Sequence, residues 1–475
     1  MDQSERAPVR NYRHARMISL PKHGLDSRKS WLVALLCGLV HLFCSLSMAA
    51  MGSMFTGFLI DFSSEREKAS WPVTSITCSM QIVSPLFSIL VHLGARHEWI
   101  LRICTFTVSA ALVLSYFAKT IVFITILMAI HGSSLAGIFM SANVLMARHF
   151  QRQRAAATGM QETIAGVSVF FMPALMDNFI RRFRTVRSIS LLGVITFASF
   201  IFSLCITPFN EQETQDSFRN GTQEDTEHVE FPKEISSTVY ATETSKDASE
   251  ISQNASSAVD SNNLLTDQPA VRDEPKPFSW RTFTNLRYFF DVFSFLVVFE
   301  CFATFLQLTA DYSNDREVPE GAIYLVPIFG IGDMMFKLGS GFLSDAKIAS
   351  PPTLMLAGSV IQCFSFVLLS YSSTMVGLSF SAFLMGTSNG CRIILFIIVL
   401  INDFGLDNLS HTFSFANFLI GIATLLKPFL VGYFRDRLGE YLGLFLLLAT
   451  LNAVVAFYWA VRVIEAYRNK RITLT

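Results

Sequence analysis

The chain has 475 residues, is 51% hydrophobic and only 16% charged, holds 45 Phe, and carries a formal net charge of zero. So few charged residues would not cover a soluble body of this size, and no general electrostatic pull toward nucleic acid exists. The composition is that of a polytopic membrane protein, long enough for about twelve spans of roughly 20 residues and one sizeable loop.

Residues 1–30 hold Arg6, Arg10, Arg13, Arg16, Lys22, Arg28 and Lys29 and read as a disordered basic cytosolic tail. The first apolar run is too long for a signal-peptide core, so no cleavable signal is expected. Six apolar runs follow, near 31–60, 72–93, 99–118, 121–147, 156–178 and 188–207. Residues 208–286 are then rich in Ser, Thr, Glu and Asp, cannot bury enough surface to fold alone, and read as a flexible cytosolic linker. Six more runs lie near 287–310, 321–344, 352–371, 375–402, 412–434 and 441–463, before a short cytosolic tail, 464–475. The expectation is an all-α membrane protein of twelve transmembrane helices in two six-helix bundles, 31–207 and 287–463.

Lys and Arg are concentrated in the tails and in the loops on the same side, which puts both ends in the cytosol. Arg181, Arg182, Arg184 and Arg187 run against that rule, in the loop between spans 5 and 6. Trp31, Trp71 and Trp99 open runs and Trp459 nears the end of one, as interfacial anchors do. All eight cysteines fall in apolar runs without Cys-x-x-Cys spacing, which argues against disulfides and metal. Neither a phosphate-binding Walker loop nor a nucleophile elbow occurs, so the chain reads as no enzyme, without cofactor, and transport must run on gradients.

Several stretches carry a resemblance. Trp31 precedes Gly52–Phe62, GSMFTGFLIDF; Ala69-Ser70-Trp71 opens the second span; His149-Phe150-Gln151-Arg152-Gln153-Arg154 leads to Ala157 and Gly159. Span 8 has Asp333, Lys337, Gly339 and Gly341, and the region of span 11 has Asp403-Phe404-Gly405, Pro428, Gly432, Asp436 and Gly439-Glu440-Tyr441. In order and spacing these resemble the monocarboxylate transporter family, a branch of the major facilitator superfamily. The resemblance implies the two-bundle fold, a small organic anion as substrate, a proton as partner in symport, and a plasma-membrane site. Some such transporters also need a single-span chaperone subunit. Two positions depart from the family: Ala49 stands where proton-coupled members have Lys, and Lys337 stands where they have Arg. The second change replaces a planar fork with a point charge.

Ionisable groups at bilayer depth are expensive and usually face a bundle interior or a wet path. Asp333 and Lys337 are four residues apart, so on a helix they share a face and can pair. They are the first candidates for binding substrate or proton. Arg392 in span 10, a carboxylate binder or a salt-bridge partner of Glu300, and Glu300 in span 7 join them. Lys427 beside Pro428 is read as snorkelling toward an interface, with a substrate role as the alternative. Glu162 is a gate partner of Arg152 or Arg154, or a solvated acid at a helix end. Asp345 and Asp436 close Gly-x-x-x-Asp-like segments and read as latches. His41 and His131 are lone histidines in apolar runs, by default satisfied core residues. The reading is a secondary transporter of small organic anions, most of all monocarboxylates, working by alternating access with proton coupling. Its alternatives are a proton-independent facilitator of aromatic amino acids or similar amphipathic acids, and a non-transporting membrane receptor or scaffold.

Overall fold

The computed structural model describes residues 27–206 and 285–472, apart from 94, 151–153, 346–347 and 406–408. The expected N-terminal tail to residue 26 and the linker from 207 to 284 lie outside the described residues, which all belong to one compact unit. Eleven helices among them are long and apolar enough to cross a membrane, and Gly321–Asp345, 25 residues long, makes the twelfth. Long helices are what a bilayer demands, because each satisfies its backbone groups internally.

Span 1 consists of Arg28–Ala49 and Met51–Asp61, span 2 is Arg66–His92, span 3 is His97–Leu114 and span 4 is Ile121–His149. Span 5 consists of Arg154–Gly166 and Ser168–Phe183, and span 6 is Thr185–Cys205. Spans 7 to 10 are Leu286–Asp315, Gly321–Asp345, Pro351–Tyr371 and Met375–Phe404. Span 11 is Leu409–Thr424 and Lys427–Val431, running on into a π-helical turn at Gly432–Arg437, and span 12 is Leu442–Ile472. Spans 1 and 5, each read as one run, are therefore broken at Ala50 and Val167. Span 12 continues nine residues past the expected boundary at 463, to Ile472, and in that extension Glu465 accepts from Arg287 of span 7 at 3.3 Å. Even numbers of crossings put Arg28 and Ile472 on one face, here the terminal face; the loops after spans 1, 7 and 11 lie on the distal face.

Helix ends follow local chemistry. Ser27, Thr120, Asn285 and Thr374 each cap a helix by accepting a backbone N–H with their side chains. Gly405, at φ +84°, closes span 10 in a conformation that a side chain would strain. Span 2 tolerates Pro72 and Pro85 inside its helix, with the Ser75 hydroxyl accepted by the Pro72 carbonyl at 2.8 Å.

In the first half, span 2 packs on span 4, span 3 on spans 4 and 6, and span 1 on spans 5 and 6. In the second, span 8 packs on span 10 and span 9 on spans 10 and 12. The halves meet where span 2 faces span 11, span 1 faces span 7 and span 5 faces span 8. Small residues set these approaches, as in membranes generally. A Cβ at Gly421 would strike Ile82, one at Gly52 the Leu306 carbonyl, and one at Gly166 the Met334 side chain.

Trp459 departs from its expected role as an anchor. It is fully buried and donates from Nε1 to Ser294 Oγ at 2.8 Å, so it is a core residue joining spans 7 and 12. Trp99 is exposed, as expected of an interfacial side chain.

Candidate functional site

Spans 8 and 10 approach closely along Gly386-Thr-Ser-Asn-Gly390. A side chain at Gly386 would collide with the Phe329 carbonyl, and one at Gly390 with the Asp333 carbonyl. This small-x-x-x-small face lets a polar residue of span 10 reach the backbone turn that carries Asp333. Asn389 does so, donating from Nδ2 to Asp333 Oδ1 at 2.7 Å. The other carboxylate oxygen lies 2.6 Å from Lys337 Nζ. The Asp333 side chain is 11% exposed and that of Lys337 is 22% exposed. The acid is thus held against span 10, and the lysine is the more open of the two side chains.

Lys337 reaches toward span 5. Gly166 of that span touches Met334, and the two helices run antiparallel, so Glu162, one turn from Gly166, is level with Lys337. The Glu162 carboxylate acts electrostatically on the ammonium. It also lies 3.8 Å from His41 Nδ1 of span 1. Glu162 is not at a helix end: it stands eight residues into its helix, between a buried imidazole and the opposite half, with its side chain still partly exposed. Arg152 lies outside the described residues, as do the side chains of Arg154 and Asp345, so the gate pair and the latch read onto them fall there.

A second pair lies deeper in the second half. Glu300 of span 7 is 3.2 Å from Lys427 Nζ of span 11, and the Thr424 hydroxyl donates to its other oxygen. Lys427 does not snorkel, because its side chain is only 5% exposed and its charge is met at depth. Beside this pair, Cys78 of span 2 donates to the Gly421 carbonyl at 3.3 Å, so the pair borders the seam between the halves. With Glu300 engaged, Arg392 takes neutral partners instead. Fully buried, it donates to Asn452 Oδ1 at 2.9 Å and Gln362 Oε1 at 3.2 Å, tying spans 9, 10 and 12 together.

Asp436, read as a latch, joins span 11 to span 2. Its carboxylate accepts the backbone N–H of Arg66 at 3.2 Å and of Glu67 at 3.0 Å, at the positive end of the span 2 helix. Around it the Arg66 guanidinium donates to Asp311 at 2.8 Å, and Arg435 donates to Asp315 at 2.6 Å. Tyr441 donates to Asp311 as well. Burial, then the Asp311 carboxylate, raises the Tyr441 phenol well above its ordinary value, so it remains a donor. This cluster ties spans 2, 7 and 11 together on the distal face.

Sequence reasoning missed Arg66, Asp311, Asp315 and Arg435, since charges at span ends look like ordinary solvated caps. It also missed a network on the terminal face. There Arg462 bridges Asp403 at 2.8 Å and the fully buried Asp291 at 3.3 Å, and Tyr458 donates to Asp291 at 2.7 Å. An acid four residues into the apolar run at 287 was the available signal. The exposed arginines after span 5 are partly explained by the Arg181–Asp177 pair at 2.8 Å, one helical turn apart.

Two helical halves meeting over charged side chains at bilayer depth define a secondary transporter of the facilitator type. The chain belongs to the Major Facilitator Superfamily, whose model matches residues 37–428. It is similar to Monocarboxylate transporter 9 of Gallus gallus, 22% identical over 460 residues, covering 88% of this chain and 89% of that protein. Monocarboxylate transporter 12 of Xenopus laevis is 21% identical over 437 residues, covering 90% and 87%. Among solved structures, the peptide transporter POT in complex with sulfate superposes with TM-score 0.66 at 10% identity, covering 94% of this chain and 97% of that one. The nucleoside transporter NupG does so with TM-score 0.59 at 12% identity, covering 90% and 98%. At such identities the structures share the fold alone.

Proposed function

We propose that this chain carries small organic anions of the monocarboxylate class across the plasma membrane by alternating access, coupled to protons, with both ends in the cytosol. The observation that carries the reading is the Asp333–Lys337 pair at 2.6 Å, held against span 10 on one side and reaching the opposite half on the other. An arriving carboxylate competes with Asp333 for the Lys337 ammonium. Protonation of Asp333 removes its claim, so anion and proton load together and no net charge is left uncompensated at bilayer depth. Rocking of the halves then breaks the distal cluster around Arg66 and re-forms it after release.

The names of the relatives support monocarboxylates as the cargo. Arg392, wholly enclosed by neutral amides, is assigned to anchoring spans 9, 10 and 12, and Glu300 to neutralising Lys427. A second reading has one observation in its favour: Ala49, 4% exposed at the break in span 1, supplies no cation from the first half. A proton-independent facilitator of amphipathic acids such as aromatic amino acids would need none. Uptake of lactate, pyruvate, ketone bodies and aromatic amino acids into proteoliposomes, with and without an imposed pH gradient, decides between them. Monocarboxylate uptake that follows the gradient supports the first; aromatic amino acid uptake that ignores it supports the second.

A further inference from the structure

Two amides occupy matching situations on opposite sides of the seam. Asn389 spends its Nδ2 on Asp333 Oδ1 at 2.7 Å, and its own Oδ1 is buried without a hydrogen-bond partner. Gln161 spends its Nε2 on His41 Nδ1 at 3.1 Å, and its Oε1 is likewise buried and unpartnered. A buried acceptor left unused costs roughly 1–3 kcal/mol. Rotating either amide by half a turn would present that oxygen to its titratable neighbour, but only a protonated neighbour has a hydrogen to give. Each amide is thus built to serve both protonation states of the group beside it.

We infer that the first half holds a proton-binding site of its own, made of His41, Glu162 and Gln161, separate from Asp333. Glu162 Oε1 stands 3.8 Å from His41 Nδ1, within ion-pairing distance of a protonated imidazole. Binding takes the pair from a charge of −1 to zero: the proton sits on Nδ1 and is donated to the turned Gln161 oxygen, which replaces the amide nitrogen now at 3.1 Å, while Glu162 supplies the counter-charge. His41 is fully buried, its ring edge-on to Phe139 of span 4 at 4.6 Å, so its charge is sustained only by the carboxylate. Glu162 has a side chain that is 41% exposed, which gives the proton a way in.

The charged groups facing the cluster come from span 8, Lys337 and its partner Asp333. Cys37 and Cys44 lie one turn away on span 1 itself. On span 4, His131 lies at the level of Ser47, to which it is hydrogen-bonded at 2.8 Å, with the Val108 carbonyl at 3.1 Å. Lys337 therefore sits between two carboxylates, one in each half. Loading the first-half site releases Lys337 from Glu162 and loosens the contact between spans 5 and 8. The inference rests on the transport reading for the use of the proton, though not for its binding.

The test is a pH titration of the full-length protein in proteoliposomes, read by carboxyl infrared bands and by imidazole signals from labelled histidine. Wild type should show a protonation event that disappears in His41→Gln, remains in Asp333→Asn, and moves to lower pH by about one unit or more in Glu162→Gln. Gln161→Leu, which keeps both titrating groups, should shift the same event. An event unchanged in both Glu162→Gln and His41→Gln overturns the inference. If pyruvate is not taken up by wild type while the Glu162-dependent event is present, the cargo reading fails and the proton site stands.

Discussion

The Glu300 carboxylate lies 3.2 Å from the Lys427 ammonium, joining spans 7 and 11 at a point where Lys427 is almost wholly enclosed. Such pairs stabilise little relative to apolar packing, yet losing one member strands the other charge. Glu300→Gln should therefore lower stability by on the order of 3 kcal/mol. The double variant Glu300→Gln, Lys427→Gln should recover most of that. Thermal unfolding in detergent measures both, and equal losses in the single and double variants would show that the charges do not compensate each other.

Asp333→Asn and Lys337→Gln should each cut cargo uptake at least about tenfold, the effect of some 1.4 kcal/mol at a rate-limiting step. Surface labelling must first show wild-type amounts of protein at the membrane. Either variant transporting at the wild-type rate would remove that residue from the transport cycle.

Arg66→Gln and Asp436→Asn should weaken the distal closure and shift the population toward states open on that face. Losing about 1 kcal/mol there corresponds to roughly a fivefold shift. Ser70, fully buried just inside the cluster, offers the readout. A cysteine introduced by Ser70→Cys should react faster with a hydrophilic maleimide when Arg66 or Asp436 is changed. Unaltered reactivity in both would mean that the cluster is not a gate.

Gly390→Val should damage the fold, since its side chain would meet the Asp333 carbonyl of the facing helix. Overpacking costs about 1–3 kcal/mol where neighbours can shift, and more where the neighbour is backbone. The expected result is a poorly assembled protein, seen as aggregation in size-exclusion chromatography. Gly339→Ala is the control, because a Cβ there meets nothing within 4 Å.

Much of the architecture was readable in one dimension because hydropathy is a local property. The twelve apolar runs became twelve spans, with Asp333 and Lys337 on one face of span 8 as their spacing requires. The breaks at Ala50 and Val167 were not readable, since no Pro or Gly stands at either position. Asn389 was missed for a similar reason: its meaning comes from Gly386 and Gly390, which bring its helix against another one fifty-six positions away.

The order of apolar and polar stretches determined by itself that this chain crosses a membrane twelve times as two sets of six helices, because the bilayer core sorts residues one segment at a time. Tertiary structure alone decided which charge meets which. It gave Glu300 to Lys427 and not to Arg392, set Glu162 beside His41, and joined Arg66 to acids from spans 7 and 11. Pairing energies depend on separation in space and on how dry the surroundings are, and neither quantity is encoded in distance along the chain.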